Sequence, residues 1–348
     1  MQQFPENISL RISEIKSQCS LIKPLVTISC GTFNQKNYIR ETLDGFVMQI
    51  TTFPFVVIVH DDASTDGTAS IIKEYADKYP NLIIPIFESE NQYSKGEGKL
   101  SNIMGEIRKA TGAEYYAFCE GDDYWTNPLK LQKQYDILEL HQDLSIALNR
   151  VGLINKNGEQ IDGCIPPKDS LKEGIVTLAT LMDEEFMKGN WTFHTSSFFI
   201  RKTVLEKYSE IRESVFNHFP YGDMPLLLNC LLLGNGYFFT EEMGYYRVLS
   251  GGYNSSLVAS PQKAIAEFRQ VATAYRDFDT YTLGKYHKQI ERAARRYEWR
   301  AMKLLYPKKL LWRFQAKYFP FLSFKEIIRF KYPTFYTLVK SLLKHSEK

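Results

Sequence analysis

Between Leu25 and about residue 145 the chain alternates short unbroken apolar runs with longer stretches that carry one apolar face. Leu25 to Ser29 (LVTIS) is such a run, ending in Cys30-Gly31-Thr32, and the next segment sets Tyr38, Ile39, Leu43, Phe46 and Val47 on one helical face. Phe55 to Val59 (FVVIV) is a β-branched run with the pattern of a buried parallel strand. It breaks into HDDASTDGT, after which Ile71, Ile72, Tyr75, Ala76 and Tyr79 share a helical side, with Asp66 placed as its N-cap. Leu82 to Phe87 and Glu114 to Cys119 are further apolar runs, and Leu131, Tyr135 and Leu138 recur at helical spacing after Asn127-Pro128. The alternation predicts an α/β layer structure.

From 150 to 260 the signals weaken into short strands, turns and a Leu-rich helix near 225–233. At Ser260-Pro261 the texture changes: serine as cap and proline at the first helical position begin a helix. Ile265, Phe268, Ala272 and Tyr275 then follow at helical spacing, and a second helix is expected over about 283–305. The boundary is placed near 255, giving an α/β domain over 1–255 and a helical, basic C-terminal region over 256–348.

Composition changes this picture little. With 348 residues, 44% apolar and 24% charged, the chain can bury a substantial core. Its five cysteines (Cys19, Cys30, Cys119, Cys164, Cys230) form no CxxC pair, which argues against a thiolate metal site or a disulfide framework. The first residues lack a signal-peptide pattern, and no apolar stretch reaches the roughly 18 residues of a spanning helix. The expected location is therefore the cytoplasm. The net charge of +3 divides unevenly: residues 307–348 hold ten Lys/Arg against two Asp/Glu. Lys309, Arg313 and Lys317 alternate there with Leu310, Phe314 and Tyr318, a basic amphipathic pattern suited to the inner face of the plasma membrane. A helix packed on the main domain with a solvated basic face would read the same way. No nucleic-acid motif accompanies the charge.

Two acidic clusters carry the candidate chemistry: His60-Asp61-Asp62 and Glu120-Gly121-Asp122-Asp123. Each closes an apolar run, at the carboxyl end of a predicted parallel strand, where open α/β sheets place their ligand crevice. Carboxylates there suit Mg²⁺ or Mn²⁺ bound together with substrate phosphates, and Gly121 would let a diphosphate approach the backbone. Either cluster alone reads equally well as turn chemistry.

The segments VTISCGTFNQKNYIRETLDGFVMQ, FVVIVHDDASTDGT and EYYAFCEGDDYWTNPLKLQKQ together resemble glycosyltransferase family 2, densely over about 25–140 and more patchily to about 255. The resemblance implies a GT-A (Rossmann-like) nucleotide-sugar-binding domain and inverting transfer from a UDP-sugar to a glycan or lipid-linked glycan in bacterial surface polysaccharide synthesis. Carried over by position, Thr32, Phe33 and Asn34 would meet the nucleotide, with Phe33 against the base, and Asp62 would bind the uracil. Glu120-Gly121-Asp122 matches the D-x-D signature, so Asp122 would ligate Mn²⁺ or Mg²⁺ with Asp123 in support. Glu120 stands where the family usually has aspartate; its extra methylene still reaches a ribose hydroxyl or the metal.

Asp223 matches the position of the catalytic base, although it would also cap the Leu-rich helix. Arg247, in Tyr245-Tyr246-Arg247, is a candidate for the donor phosphates or a structural salt bridge. The later family histidine is replaced by Leu249. Trp191 and His194 fall in the expected acceptor region as candidates for sugar contacts. Two other readings stay open: a non-catalytic nucleotide-sugar or glycan-binding module, and a nucleotidyltransferase, for which CGTFNQK is a poor phosphate loop.

Overall fold

The structure, a computed structural model, describes residues 6–96, 99–189, 192–249 and 260–305. In chain order the elements are α1 (Glu6–Ile22), β1 (Val26–Thr32), α2 (Ile39–Val47), β2 (Phe55–Asp61), α3 (Thr68–Lys78), β3 (Ile83–Phe87), α4 (Lys99–Thr111), β4 (Tyr115–Phe118), β5 (Tyr124–Trp125) and α5 (Lys130–Leu140). They continue with β6 (Leu144–Ile154), β7 (Gln160–Ile165), β8 (Gly174–Val176), α6 (Leu178–Leu181), β9 (Phe199–Arg201), α7 (Lys202–Val215), α8 (Asp223–Leu233), β10 (Asn235–Arg247), α9 (Pro261–Tyr281) and α10 (His287–Leu305).

One mixed sheet runs in the order β3-β2-β1-β4-β9-β6-β10-β5, with β7 on β6 and β8 on β10. The first four strands are parallel, so β1, β2 and β4 end at the same edge of the sheet. The unbroken FVVIV run has a direct cause: both faces of β2 are covered. Val57 and Val59 join Ile39, Leu43, Phe46 and Ile72 on the face of α2 and α3. Val56 and Ile58 join Ile8, Ile15, Ile84 and Ile107 on the face of α1 and α4. Each such side chain contributes about 1.5–3 kcal/mol by leaving water.

The expected strands at 55–59, 82–87 and 114–119 and the helix near 225–233 all form. The helices α1 and α4 were not anticipated. Asp66 does cap α3, but from the residue before the N-cap Gly67: its Oδ1 accepts the Thr68 N–H at 2.9 Å.

The chain forms two compact units. The first comprises Met1–Leu181, Asn190–Glu210 and Asp223–Leu249, and holds the whole sheet. The second comprises Met182–Gly189, Ile211–Gly222 and Ser250–Lys348. In the second, α9 starts at Pro261 as expected, and Tyr275 meets the rings of Phe186 and Phe219 edge-on at 5.0 and 5.3 Å. Arg276 of α9 pairs with Glu291 and Glu298 of α10, which also pair with Arg295 within α10. The boundary expected near 255 and the basic tail both lie outside the described residues.

Candidate active site

The acidic motif is fixed by extending the β1–β4 pairing beyond the strands: Cys119 N–H donates to Ser29 O at 3.2 Å and Gly121 N–H to Gly31 O at 2.9 Å. Asp123 N–H turns back to Glu120 O at 3.1 Å, and the Thr42 hydroxyl reaches the carbonyls of Gly121 and Asp123 at 3.0 and 2.6 Å. A Cβ on Gly121 would come within 2.4 Å of Gln35 Oε1 and 2.7 Å of Thr32 Cβ. The glycine therefore permits close packing of the loop against Thr32 and Gln35.

Four carboxylates gather in this crevice. Asp123 is 1% exposed, and burial with the charges of Glu120 and Asp122 pushes its carboxyl well above the ordinary range. Glu120 opens to solvent, and desolvation by the crowded crevice, Asp122 and Asp223 together push it up to about 7. Asp122 is half-buried and raised by burial, tempered by Arg247 and a hydrogen bond with Gln35. Asp223 begins α8, is likewise raised by burial, and accepts the Met224 N–H on Oδ1 at 2.7 Å. Its charge helps to raise the Glu120 carboxyl, so the two groups lie within electrostatic range of each other.

His194, assigned from sequence to the acceptor region, lies at the acidic cluster. It is 6% exposed, and burial pushes its imidazole down to about 3. Nδ1 accepts the Ser196 N–H at 3.3 Å and lies 3.6 Å from Asp123 Oδ2, while the ring meets that of Tyr246 in a tilted contact with centroids 4.4 Å apart. Glu120, Asp123 and His194 each offer a ligand atom, all within 4.8 Å of one another. Two carboxylate oxygens and a neutral imidazole form a donor set that fits a divalent cation. Asp122, expected to lead the metal ligands, is outside this trio. Trp191 lies outside the described residues.

Arg247 is 2% exposed and fully engaged. Its N–H donates to Asp123 Oδ1 at 3.0 Å, Nε to Asp122 O at 3.0 Å and Nη1 to Asn155 O at 3.3 Å, while Nη2 pairs with Glu41. The Tyr38 ring covers the guanidinium at 4.5 Å. Of the two roles left open above, this contact set is that of a buried structural clamp on the acidic motif.

The remaining nucleotide-site candidates follow β1 and β2. Thr32 donates to Gln35 Oε1 at 2.7 Å, Phe33 is 47% exposed, and Asn34, at φ 53°, accepts the Thr65 N–H at 2.9 Å. Asp62 is buried and hydrogen-bonded to Thr32 O through its N–H at 3.0 Å; its two oxygens accept the Gln92 and Tyr93 N–H groups at 2.6 and 3.0 Å. Asp62 thereby ties the Gln92 and Tyr93 backbone to the end of β1.

Residues 29–208, over half of the 348, match the family described as glycosyl transferase family 2. The chain belongs to this family. An uncharacterized protein of Mycobacterium tuberculosis, Rv1520, is 42% identical over 166 residues, covering 48% of this chain and 44% of that one. The Staphylococcus aureus poly(ribitol-phosphate) β-N-acetylglucosaminyltransferase TarS is 28% identical over 251 residues, 69% of this chain and 39% of TarS. The crystal structure of TarS 1–349 in complex with UDP-GlcNAc is similar at a TM-score of 0.52 and 19% identity, covering 88% of this chain and 81% of that one. The fold is thus of the GT-A type with a helical C-terminal region. The matched part spans under half the length of the mycobacterial relative.

Proposed function

We propose that the chain is an inverting glycosyltransferase that moves a hexose or N-acetylhexosamine from a UDP-sugar to a hydroxyl of a glycan or lipid-linked glycan in surface polysaccharide synthesis. The observation that carries this reading is the acidic motif held at the strand ends by the extended β1–β4 pairing, with Asp223 near enough for its charge to raise the Glu120 carboxyl. TarS, named for N-acetylglucosaminyl transfer and crystallised with UDP-GlcNAc, supports UDP as the nucleotide.

Each residue then has a task. The exposed ring of Phe33 offers a face to the base, and Asp62, whose carboxylate retains lone pairs beyond the two it has given to amides, lies beside it. Thr32 and Asn34 shape the turn that presents Phe33. Mn²⁺ or Mg²⁺ would be held by the acidic crevice, Asp123 and Glu120 within it and Asp122 at its edge, and when bound would neutralise charge on the departing diphosphate. Asp223 takes the proton of the acceptor hydroxyl as that oxygen attacks the anomeric carbon and the bond to UDP breaks. The Met224 N–H engages Oδ1, which leaves Oδ2 as the oxygen to accept the proton, and burial raises the carboxyl toward the range of an effective base. Arg247 is a positioning residue that keeps Asp122 and Asp123 in place.

The test is UDP release from a panel of UDP-hexoses and UDP-N-acetylhexosamines with oligosaccharide acceptors. Asp223→Asn is expected to lower turnover by about 10²–10⁴-fold while UDP affinity holds within about threefold. Unchanged turnover in that variant would remove the base assignment.

A further inference from the structure

The turn between α9 and α10 sets a large apolar side chain where the backbone calls for glycine. Helix α9 ends at Tyr281 with Thr282 as its C-cap. The Gly284 N–H donates to Asp279 O at 2.9 Å and the Leu283 N–H to Thr280 O at 3.1 Å, the pair of bonds that closes a Schellman ending. The residue after the C-cap then turns left-handed, a place usually held by glycine. Here Leu283 holds it at φ 53°, and the glycine comes one position later at φ 72°. An L side chain in that conformation costs free energy, and Leu283, 94% exposed, recovers none of it by packing. An exposed leucine alone is ordinary; one that is also strained points to a use outside the fold.

The neighbours of Leu283 give that use its chemistry. Tyr281 is 43% exposed, and Lys285, with Nζ 5.3 Å from the centre of the Tyr286 ring, and Lys288 are both exposed. No Asp or Glu occurs from Thr280 to Ile290. The two carboxylates just before the turn are each paired with a histidine: Asp279 Oδ2 with His287 Nδ1 at 2.6 Å, and Asp277 Oδ2 with His218 Nδ1 at 2.5 Å. The hydrogen bond to Asp279 holds the His287 imidazole above its ordinary range, which favours the imidazolium and cancels the carboxylate. What the turn offers to solvent is a leucine, a tyrosine and two ammonium groups, the composition of a segment that settles in a membrane interface.

We propose that the α9–α10 turn docks on an anionic lipid surface, with Leu283 entering the headgroup–acyl boundary, Tyr281 beside it, and Lys285 and Lys288 against the headgroup phosphates. One leucine and two lysines give only marginal, reversible attachment, so the turn is a second contact beside the one expected from residues 307–348. The assignment stands apart from the reading of the acidic crevice.

The experiment is hydrogen exchange of the full chain, alone and with saturating vesicles of phosphatidylglycerol or of phosphatidylcholine. The amides of residues 280–288 are expected to exchange at least about threefold more slowly on phosphatidylglycerol and to be unchanged on phosphatidylcholine. Leu283→Asn, a residue that tolerates the left-handed backbone, is expected to unfold at the wild-type temperature or above it. The same variant is expected to lose the protection and to weaken vesicle binding about tenfold. Unchanged exchange over 280–288 on phosphatidylglycerol overturns the proposal, whether or not another part of the chain holds the vesicle. Equal slowing on phosphatidylcholine overturns the assignment to anionic lipid. Slowing that follows protein concentration without vesicles assigns the turn to a second copy of the chain and overturns it as well.

Discussion

Lys130 shows what a single buried charge costs this fold. It is fully buried in the first turn of α5, where Nζ donates to Gln134 Oε1 at 2.7 Å and lies 4.1 Å from the centre of the Trp125 ring. Burial pushes its amine down to about 7. In the unfolded chain the same amine holds its proton to about pH 10. Between these limits the unfolded state binds more protons, so stability rises with pH across that window. From pH 6 to pH 9 the wild type is expected to gain about 2–3 kcal/mol more than Lys130→Met, measured by urea unfolding at both values. Equal gains would contradict the shift. Gly121→Ala belongs to the same scale. The added methyl would strike Thr32 and Gln35, and UDP affinity in the presence of Mn²⁺ is expected to fall at least about tenfold as the acidic motif is displaced. The acidic motif itself was legible in the sequence because two acidic clusters close apolar runs at matching strand ends, a coincidence that turn chemistry does not require. The role of Gly121 was not, since whether a glycine makes room for a ligand or for a neighbouring loop depends on which side chains lie opposite.

Among the elements, the parallel strands were readable because β2 is apolar on both faces from Phe55 to Val59, the pattern of a doubly covered strand, while β1 and β4 bring Val26, Ile28, Cys30, Tyr115 and Ala117 into the core. Helix α1 was not. Its buried face comprises Ile8, Ile15 and Cys19, but Leu10 and Leu21 are 63% and 84% exposed, which blurs the helical period. Strand β6 was equally hidden, because Ser145, Asn149 and Arg150 are buried within it and carry polar letters into the core. The partners that satisfy them come from far along the chain: Arg150 Nη1 donates to Thr240 O at 2.7 Å, and the Ser145 hydroxyl to Cys230 O at 2.7 Å. His194 escaped for the same reason, since the residues before β9 meet the acidic motif only through tertiary packing. At this scale the join between β10 and the acidic motif is the most exposed to test. Arg247→Lys keeps a charge but cannot reach Asp122 O, Asn155 O and Glu41 together. It is expected to cost about 2 kcal/mol of stability by thermal unfolding and to weaken Mn²⁺-dependent UDP binding at least about tenfold. A variant as stable and as tight as wild type would show that the clamp is dispensable.

At the scale of the whole molecule, every described candidate residue falls within the first compact unit. No helix among the described residues is long and apolar enough to cross a membrane. The lipid contact expected from the basic pattern of residues 307–348 is tested by deleting that segment. Its removal is expected to abolish co-sedimentation with phosphatidylglycerol vesicles, and retention undiminished by the deletion would reject that assignment. Donor choice and acceptor choice sit at different distances from the sequence. The proposed nucleotide side is built on the ends of regular strands, which pattern reveals, while the residues that would choose an acceptor cannot be read from pattern because their placement depends on tertiary packing. The most direct measurement is a calorimetric titration of UDP into the full chain with and without Mn²⁺. The account predicts binding that appears with Mn²⁺, is lost on removal of the metal, and is abolished in Asp123→Asn. Absence of UDP binding under both conditions, in protein shown to be folded, would contradict it.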